Sequence, residues 1–457
     1  MVFSSLFFLF LFLPVTMLLY FLVPKKAQNA VLLIASLFFY AWGEPIYLIL
    51  MLLSIAANYA FGLLLEKDRE KDSPYRKLNL ALAVIWNLAG LFFFKYYGLM
   101  ERTFRFLPAL NIALPIGISF YTFQVLSYVI DVYRGNIKAQ RSLPDFALYV
   151  TMFPQLIAGP IVRYVDIEKE LKERTVNLQK IGHGAESFIQ GLAMKVLLAN
   201  SFGRLYDAVE ALGEKSVLLF WLGAIAYTFQ LYFDFAGYSR MAIGLGRMFG
   251  FNFPENFDHP LTSKSVTEFW RRWHISLGTW FREYVYIPLG GNRVSALRHV
   301  FNILVVWMLT GFWHGASWNF LLWGLYYGIL LLIEKYVFGK YLEKAPVLGW
   351  FFTFVITVLG FVLFSHTELT AAGSALAGMF GIGANGFAGN TFFYYLRSYG
   401  ILFLIGIPAA TPLLSNLDRR ISAKLPILGI IGKMLLFILC IACLIYESYN
   451  PFLYFRF

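Results

Sequence analysis

The chain has 457 residues, of which 59% are hydrophobic and 14% charged. A soluble domain carries about 25% charged residues, so the polar surface it would need is missing. The net charge of +12 lies in short loops between apolar runs, which is how membrane proteins are oriented and argues against a nucleic-acid-binding face.

A helix that crosses the hydrocarbon takes about 20 apolar residues. The first run, 3–23, precedes its first positive charges, Lys25 and Lys26. A cleavable signal has the reverse order, so this run reads as a retained helix. Runs of similar length follow at 45–65, 77–98, 145–162, 186–206, 217–235, 347–365, 399–415 and 427–447, and 303–333 is longer still. Shorter or glycine-rich runs at 30–42, 112–130, 236–250 and 371–384 read as re-entrant or half-crossing pieces, tolerated where protein shields them. The expectation is an all-α polytopic integral membrane protein of 11 to 12 spans, one domain over 1–457. Residues 251–300 would be its polar amphipathic segment and 427–457 its last helix with an aromatic tail. Cys440 and Cys443, three apart in the last run, offer neither a disulfide framework nor a metal site, and no metal is expected.

Charge orients the bundle. Lys67, Arg69, Lys71, Arg76 and Lys77 share one loop; Arg163, Lys169, Lys172, Arg174 and Lys180 share another. Arg419, Arg420, Lys424 and Lys433 precede or enter the last helix, and only Arg456 follows it. By the positive-inside rule the last helix starts in the cytoplasm, and both termini lie outside.

In the polar segment, Ser265 and Glu268 have capping-box spacing and predict a helix start. Pro288, Gly290 and Gly291 predict its end. On a single helix Trp270, Leu277, Phe281 and Tyr284 would form an aromatic face. Arg271, His274 and Arg282 would lie on another line, either as snorkelling interfacial residues or facing an anionic substrate at a channel mouth. The uncharged run 303–333 would measure about 46 Å as one helix against about 30 Å of hydrocarbon. A break near Gly311 to Ser317 is therefore predicted, with His314 in it. An ionisable residue at that depth is costly and usually faces a cavity, which makes His314 the leading functional candidate. Asp234, in LYFDFAGYSR, is expected to pair with Arg240 or an arginine of the polar helix. His183, His259, His299 and His366 have no evident constellation and read as structural.

Two segments then carry a family resemblance: EFWRRWHISLGTWFREYVYIPLGGNR (268–293) and LTGFWHGASWNFLLWG (309–324). They look like the signature of the membrane-bound O-acyltransferases. LPIGISFYTFQVLSYVIDVYRG (114–135), FPQLIAGPIVRY (153–164) and YFDFAGYSRMAIG (232–244) resemble the alginate and peptidoglycan O-acetyltransferase branch. The resemblance implies a funnel around a central channel, His314 as the catalytic residue and His274 as the second functional position. Arg271, Arg282, Trp313, Asn319 and Asp234 are then the expected substrate-binding positions. It implies acetyl-coenzyme A as the cytoplasmic donor, with no bound cofactor. An extracytoplasmic acetyltransferase and a cell-surface polysaccharide would be the partners, at a bacterial cytoplasmic membrane. The chain ends YNPFLYFRF, and the tyrosine of a similar tail in relatives points to Tyr454 as an acyl carrier. A phenol, of pKa about 10, lies near a thiol's 8.5, so passage from thioester to tyrosyl ester is nearly balanced. Two readings stay open beside this one: a transporter or flippase with a broken helix at mid-depth, and a lipid or protein O-acyltransferase.

Overall fold

A computed structural model describes every residue except Arg105, Ala109, Asn111, Ala158, Glu447, Ser448, Phe452 and Tyr454–Phe457. Among the described residues every regular element is helical, apart from one isolated antiparallel bridge between Phe257 and Trp273. The protein is thus an all-α polytopic membrane protein, as its apolar runs predict. Eight helices are long and apolar enough to cross a membrane, and Phe8–Leu22 and Leu369–Met379 are shorter apolar ones. The lower number than 11 to 12 has local causes. The run 145–162 is split into Leu143–Thr151 and Phe153–Leu156, where Pro154 starts the second helix. The runs 217–235 and 236–250 are one helix, Val217–Met248, about 48 Å long at 1.5 Å per residue.

The chain divides into two compact units. The first comprises 1–188 and 239–255, the second 189–238 and 256–457. In the first, phenylalanines close the core: Phe8 and Phe12 pack on Phe39 and Phe153 at ring separations of 5.3 to 6.2 Å. Several polar groups within its helices are paired with one another, as happens between helices in hydrocarbon surroundings. Asn58 and Asn87 exchange amide hydrogen bonds of 2.9 and 2.7 Å. Buried Glu66 takes Arg141 at 2.5 Å, and buried Lys95 donates to Ser119 at 3.1 Å.

The second unit is organised on a helical hairpin, Ala296–His314 and Trp318–Ile333. Its two helices approach closely through glycines. A Cβ on Gly311 would collide with the Phe320 carbonyl, and one on Gly324 with the Trp307 carbonyl. Around the hairpin lies a core of large aromatics, among them Trp273, Trp307, Trp323, Phe361 and Phe364. The last helix, Pro426–Tyr446, buries only Gly429 and Cys440; its exposed leucines and isoleucines make the apolar outer surface a bilayer requires.

Candidate active site

Two backbone breaks in the second unit each present a histidine. The hairpin's first helix ends at His314, and Gly315–Ser317 turn the chain before Trp318, within the break predicted from sequence. Gly315 is needed there because a Cβ would strike the Phe320 ring. Asn319, fully buried, braces the turn: its Nδ2 donates to the carbonyls of His366 at 2.7 Å and Leu363 at 3.3 Å. Its role in the structure is to hold the break.

The other break was not legible in the sequence. Ser265 does cap a helix, its hydroxyl accepting from Glu268 N at 3.0 Å. That helix, however, is only Val266–Arg272; Trp273 is extended, His274 is left-handed at φ 47°, and a new helix runs Ile275–Phe281. A left-handed conformation is uncommon outside glycine and, for histidine, is held only by its surroundings. Asn256 supplies the hold. Its carbonyl accepts from Ile275 N at 3.0 Å, and its Oδ1 accepts from Ser276 N at 3.1 Å and Ser276 Oγ at 2.9 Å. Glu334, buried, steadies the first helix by accepting from Val266 N at 2.6 Å and Thr267 N at 3.0 Å, an anion at a helix N-terminus. The single line of Arg271, His274 and Arg282 is thereby broken: the two arginines are exposed and His274 is 2% exposed.

The breaks bring the histidines together. The rings of His274 and His314 lie 6.5 Å apart, with Trp313 at 5.0 Å from His314 and 5.9 Å from His274. Trp323 at 5.0 Å and Phe364 at 5.3 Å enclose His314 further, and Phe235 meets His274 edge-on at 4.7 Å. Because Asn256 Oδ1 already accepts from Ser276, it is an acceptor toward His274 Nδ1 at 3.2 Å. Nδ1 therefore carries the proton, and Nε2 is the basic nitrogen. Burial pushes the His274 ring down to about 3, so it is neutral at any working pH.

Two adjoining cavities lie beside the pair; His274 lines the smaller of them, and His314 lines neither. A narrow one of about 180 Å³ is walled by Trp270, Trp273, His274, Phe281, Arg282 and Trp307. A larger one of about 1180 Å³ shares Trp270, Arg282 and Tyr286 with it and adds the cations Lys264, Arg271, Lys335 and Lys340, which with Arg282 outnumber its carboxylates Glu268, Glu334 and Glu343. An anionic molecule fits the wide basic part, and an uncharged extension fits the aromatic slot that ends on His274.

Asp234 pairs with neither Arg240 nor the polar helix. Its partner is Lys195 at 2.8 Å, both side chains being 3% exposed or less. Its carboxylate also accepts from Leu453 N at 3.0 Å. Lys195 lies in an apolar run, and a lone intramembrane charge there was the missed signal. His299 and His366 do have constellations. His299 stands between Tyr286 Oη and Lys335 Nζ, both at 3.1 Å, with Tyr336 Oη at 2.9 Å. His366 lies 3.8 Å from Glu210 on the wall of a separate 660 Å³ cavity. Tyr454 lies outside the described residues. Among those described, no group of three acidic, histidine or cysteine residues is arranged to hold a metal.

Comparison with known proteins adds the following. Residues 77–366 match the membrane-bound O-acyltransferase family. Over 396 residues the chain is 44% identical to the probable alginate O-acetylase AlgI of Azotobacter vinelandii, covering 84% of this chain and 79% of that one. With the probable alginate O-acetylase AlgI of Pseudomonas putida it shares 40% identity over the full length of both. With the peptidoglycan O-acetyltransferase of Helicobacter pylori it shares 36%, over 84% of this chain and 80% of the other.

Proposed function

The chain belongs to the membrane-bound O-acyltransferase family and is an acyltransferase; on that premise we propose that it passes an acetyl group from cytoplasmic acetyl-coenzyme A across the bacterial cytoplasmic membrane, for O-acetylation of a polysaccharide outside. The observation that carries this reading is the facing of His274 and His314 in an aromatic shell, with His274 on the wall of a slot that adjoins a wider cavity lined by several cations. The relatives' names, alginate O-acetylase and peptidoglycan O-acetyltransferase, support a polysaccharide acceptor.

The donor's phosphates suit Arg271, Arg282, Lys335 and Lys340, since cations in a partly enclosed site attract them strongly. Its uncharged arm, about as wide as an alkyl chain, suits the slot between Trp270, Trp273 and Trp307. The loops that line the basic cavity belong to the cytoplasmic side, because Lys335, Lys340 and Lys344 flank one end of helix Pro346–Ser365 and no comparable cluster flanks the other. Both termini then lie outside.

At the pair, His314 acts as general base toward the Tyr454 hydroxyl. The oxygen forms a C–O bond to the thioester carbonyl carbon, the C–S bond breaks, and the proton returns to the departing thiolate to give coenzyme A and acetyl-tyrosine. His274, held neutral with Nδ1 donating to Asn256, keeps an accepting nitrogen toward the same space. A hydroxyl of the acceptor, with or without a separate extracytoplasmic transferase, then takes the acetyl group and restores the phenol.

The test uses purified protein in lipid nanodiscs with acetyl-coenzyme A labelled in the acetyl group. Wild type is expected to release free thiol and to carry label on the peptide containing Tyr454; His314→Ala is expected to do neither. Thiol release by His314→Ala at the wild-type rate would refute the role of the histidine. Release by wild type with no label on Tyr454 would remove the relay and leave direct transfer.

A further inference from the structure

We infer that Lys195 and Asp234 are a positioning pair, built to hold the segment after the last helix in one register so that Tyr454 can be acylated; this rests on the carrier reading above. The helices that bear the two residues meet at glycines. A Cβ on Gly237 would stand 2.7 Å from the Gly191 carbonyl and 3.1 Å from Lys195 N, so Gly237 lets the backbones close until the two charges touch. Lys195 lies in a widened π turn, Met194–Ala199, the local form that often marks functional positions in helices. Burying two charges this deeply is costly, and such a pair is weak evidence for stability in itself.

Both members of the pair also hydrogen-bond to the backbone of the tail. Lys195 Nζ donates to the Pro451 carbonyl and to Asn200 Oδ1 at 2.9 Å. Asp234 accepts from Leu453 N at 3.0 Å. Asn200 donates to the Tyr449 carbonyl at 3.2 Å and to Asn450 Oδ1 at 3.4 Å, and Tyr449 Oη donates to Asp207 at 2.6 Å. The Leu453 side chain, 6% exposed, is part of the aromatic core. A cation takes a carbonyl, an anion takes an N–H two residues on, and an apolar knob fixes the spacing. Together they fix the register of the chain at Leu453, the residue before Tyr454 in the sequence. The clamp also borders the histidines: Asp234 is followed by Phe235, whose ring meets His274 at 4.7 Å.

The polarity of the clamp gives a discriminating test. Exchanging the charges, Lys195→Asp with Asp234→Lys, keeps an ion pair but turns a carboxylate toward a carbonyl and an ammonium toward an N–H. The exchanged protein is expected to elute as wild type and to keep its KM for acetyl-coenzyme A, whose cavity lies elsewhere. Label on Tyr454 should fall at least 100-fold. In a Cys440→Ser, Cys443→Ser background, a Leu453→Cys reporter should react with maleimide slowly in the native clamp and at least tenfold faster after the exchange. If the exchanged protein does not fold, Lys195→Met with Asp234→Leu fills the same space without charge and must give the same two results. Label on Tyr454 within threefold of wild type in either double variant overturns the clamp. So does unchanged maleimide protection, a readout that holds even if wild type carries no label and the carrier reading itself fails.

Discussion

Four histidines of the second unit fall into two kinds, and the side chains around each ring separate them. His274 and His314 close helix breaks, sit at 2% and 5% exposure, and have rings mainly against other rings. His299, buried as well, and His366, half-buried, are engaged by hydroxyls and charges: Tyr286, Tyr336 and Lys335 for one, Glu210 and Ser365 for the other. Rings in the first setting are enclosed by other aromatic side chains; rings in the second are committed to hydroxyl and charged neighbours. The difference is one of partners, and it sets the order of effects expected from replacing each.

The largest effect belongs to the buried pair. His314→Ala should lower thiol release from acetyl-coenzyme A by at least about 100-fold, the usual contribution of a general base, with KM little changed. Asn256→Ala keeps the main-chain carbonyl that accepts from Ile275 N but removes the side-chain acceptor of the His274 Nδ1–H and of Ser276. A lost buried hydrogen bond of about 1–3 kcal/mol corresponds to a fall in kcat of about 10- to 100-fold. A rate within twofold of wild type would show that the tautomer does not matter.

Smaller effects lie outside that pair. Arg271→Ala with Arg282→Ala should raise KM for acetyl-coenzyme A about tenfold at low salt, leave kcat within threefold, and lose most of the difference at about 0.5 M salt as screening sets in. A loss confined to kcat would dissociate the arginines from the donor. Smallest of all, His366→Gln should leave turnover at neutral pH unchanged and alter only how stability depends on pH. For His366, burial lowers the ring, but the Glu210 hydrogen bond and the Val362 carbonyl outweigh it and leave the ring above its ordinary value. For Glu210, burial raises the carboxyl, but His366 and Lys215 outweigh it and leave the carboxyl below its ordinary value. A raised histidine contributes stability that is present below its unfolded pKa and fades as pH climbs through the folded one; a depressed carboxylate loses its contribution as pH falls through its folded value. The wild-type melting temperature should thus decline between about pH 6 and 9 more steeply than that of the variant. Parallel curves would show that the pair contributes nothing.

The sequence analysis located the apolar runs, the Ser265 cap and the break after His314, because each leaves a local signature: length, cap spacing, and an uncharged stretch too long for the bilayer. What it placed wrongly has no local signature. The left turn at His274 is imposed by Asn256, 18 residues earlier. The partner of Asp234 comes from Lys195, 39 residues away, in a run whose hydropathy hid the charge. His299 and His366 looked solitary because Lys335, Tyr336 and Glu210 reach them across the fold. Continuous helix over 217–248 was split on the glycine content of its second half, although those glycines serve packing: Gly237 and Gly244 each admit a neighbouring backbone.

The clamp at Lys195 and Asp234 also constrains how the molecule is made. Residues 449–453 leave the ribosome after every helix described above, yet a central pair of charges makes hydrogen bonds to them. Until translation reaches that point, the inserted helices carry an ammonium and a carboxylate whose hydrogen bonds are incomplete in the membrane interior. The clamp is therefore completed only after every helix described above has been made, and a chain broken off before residue 449 would differ at its centre as well as at its end.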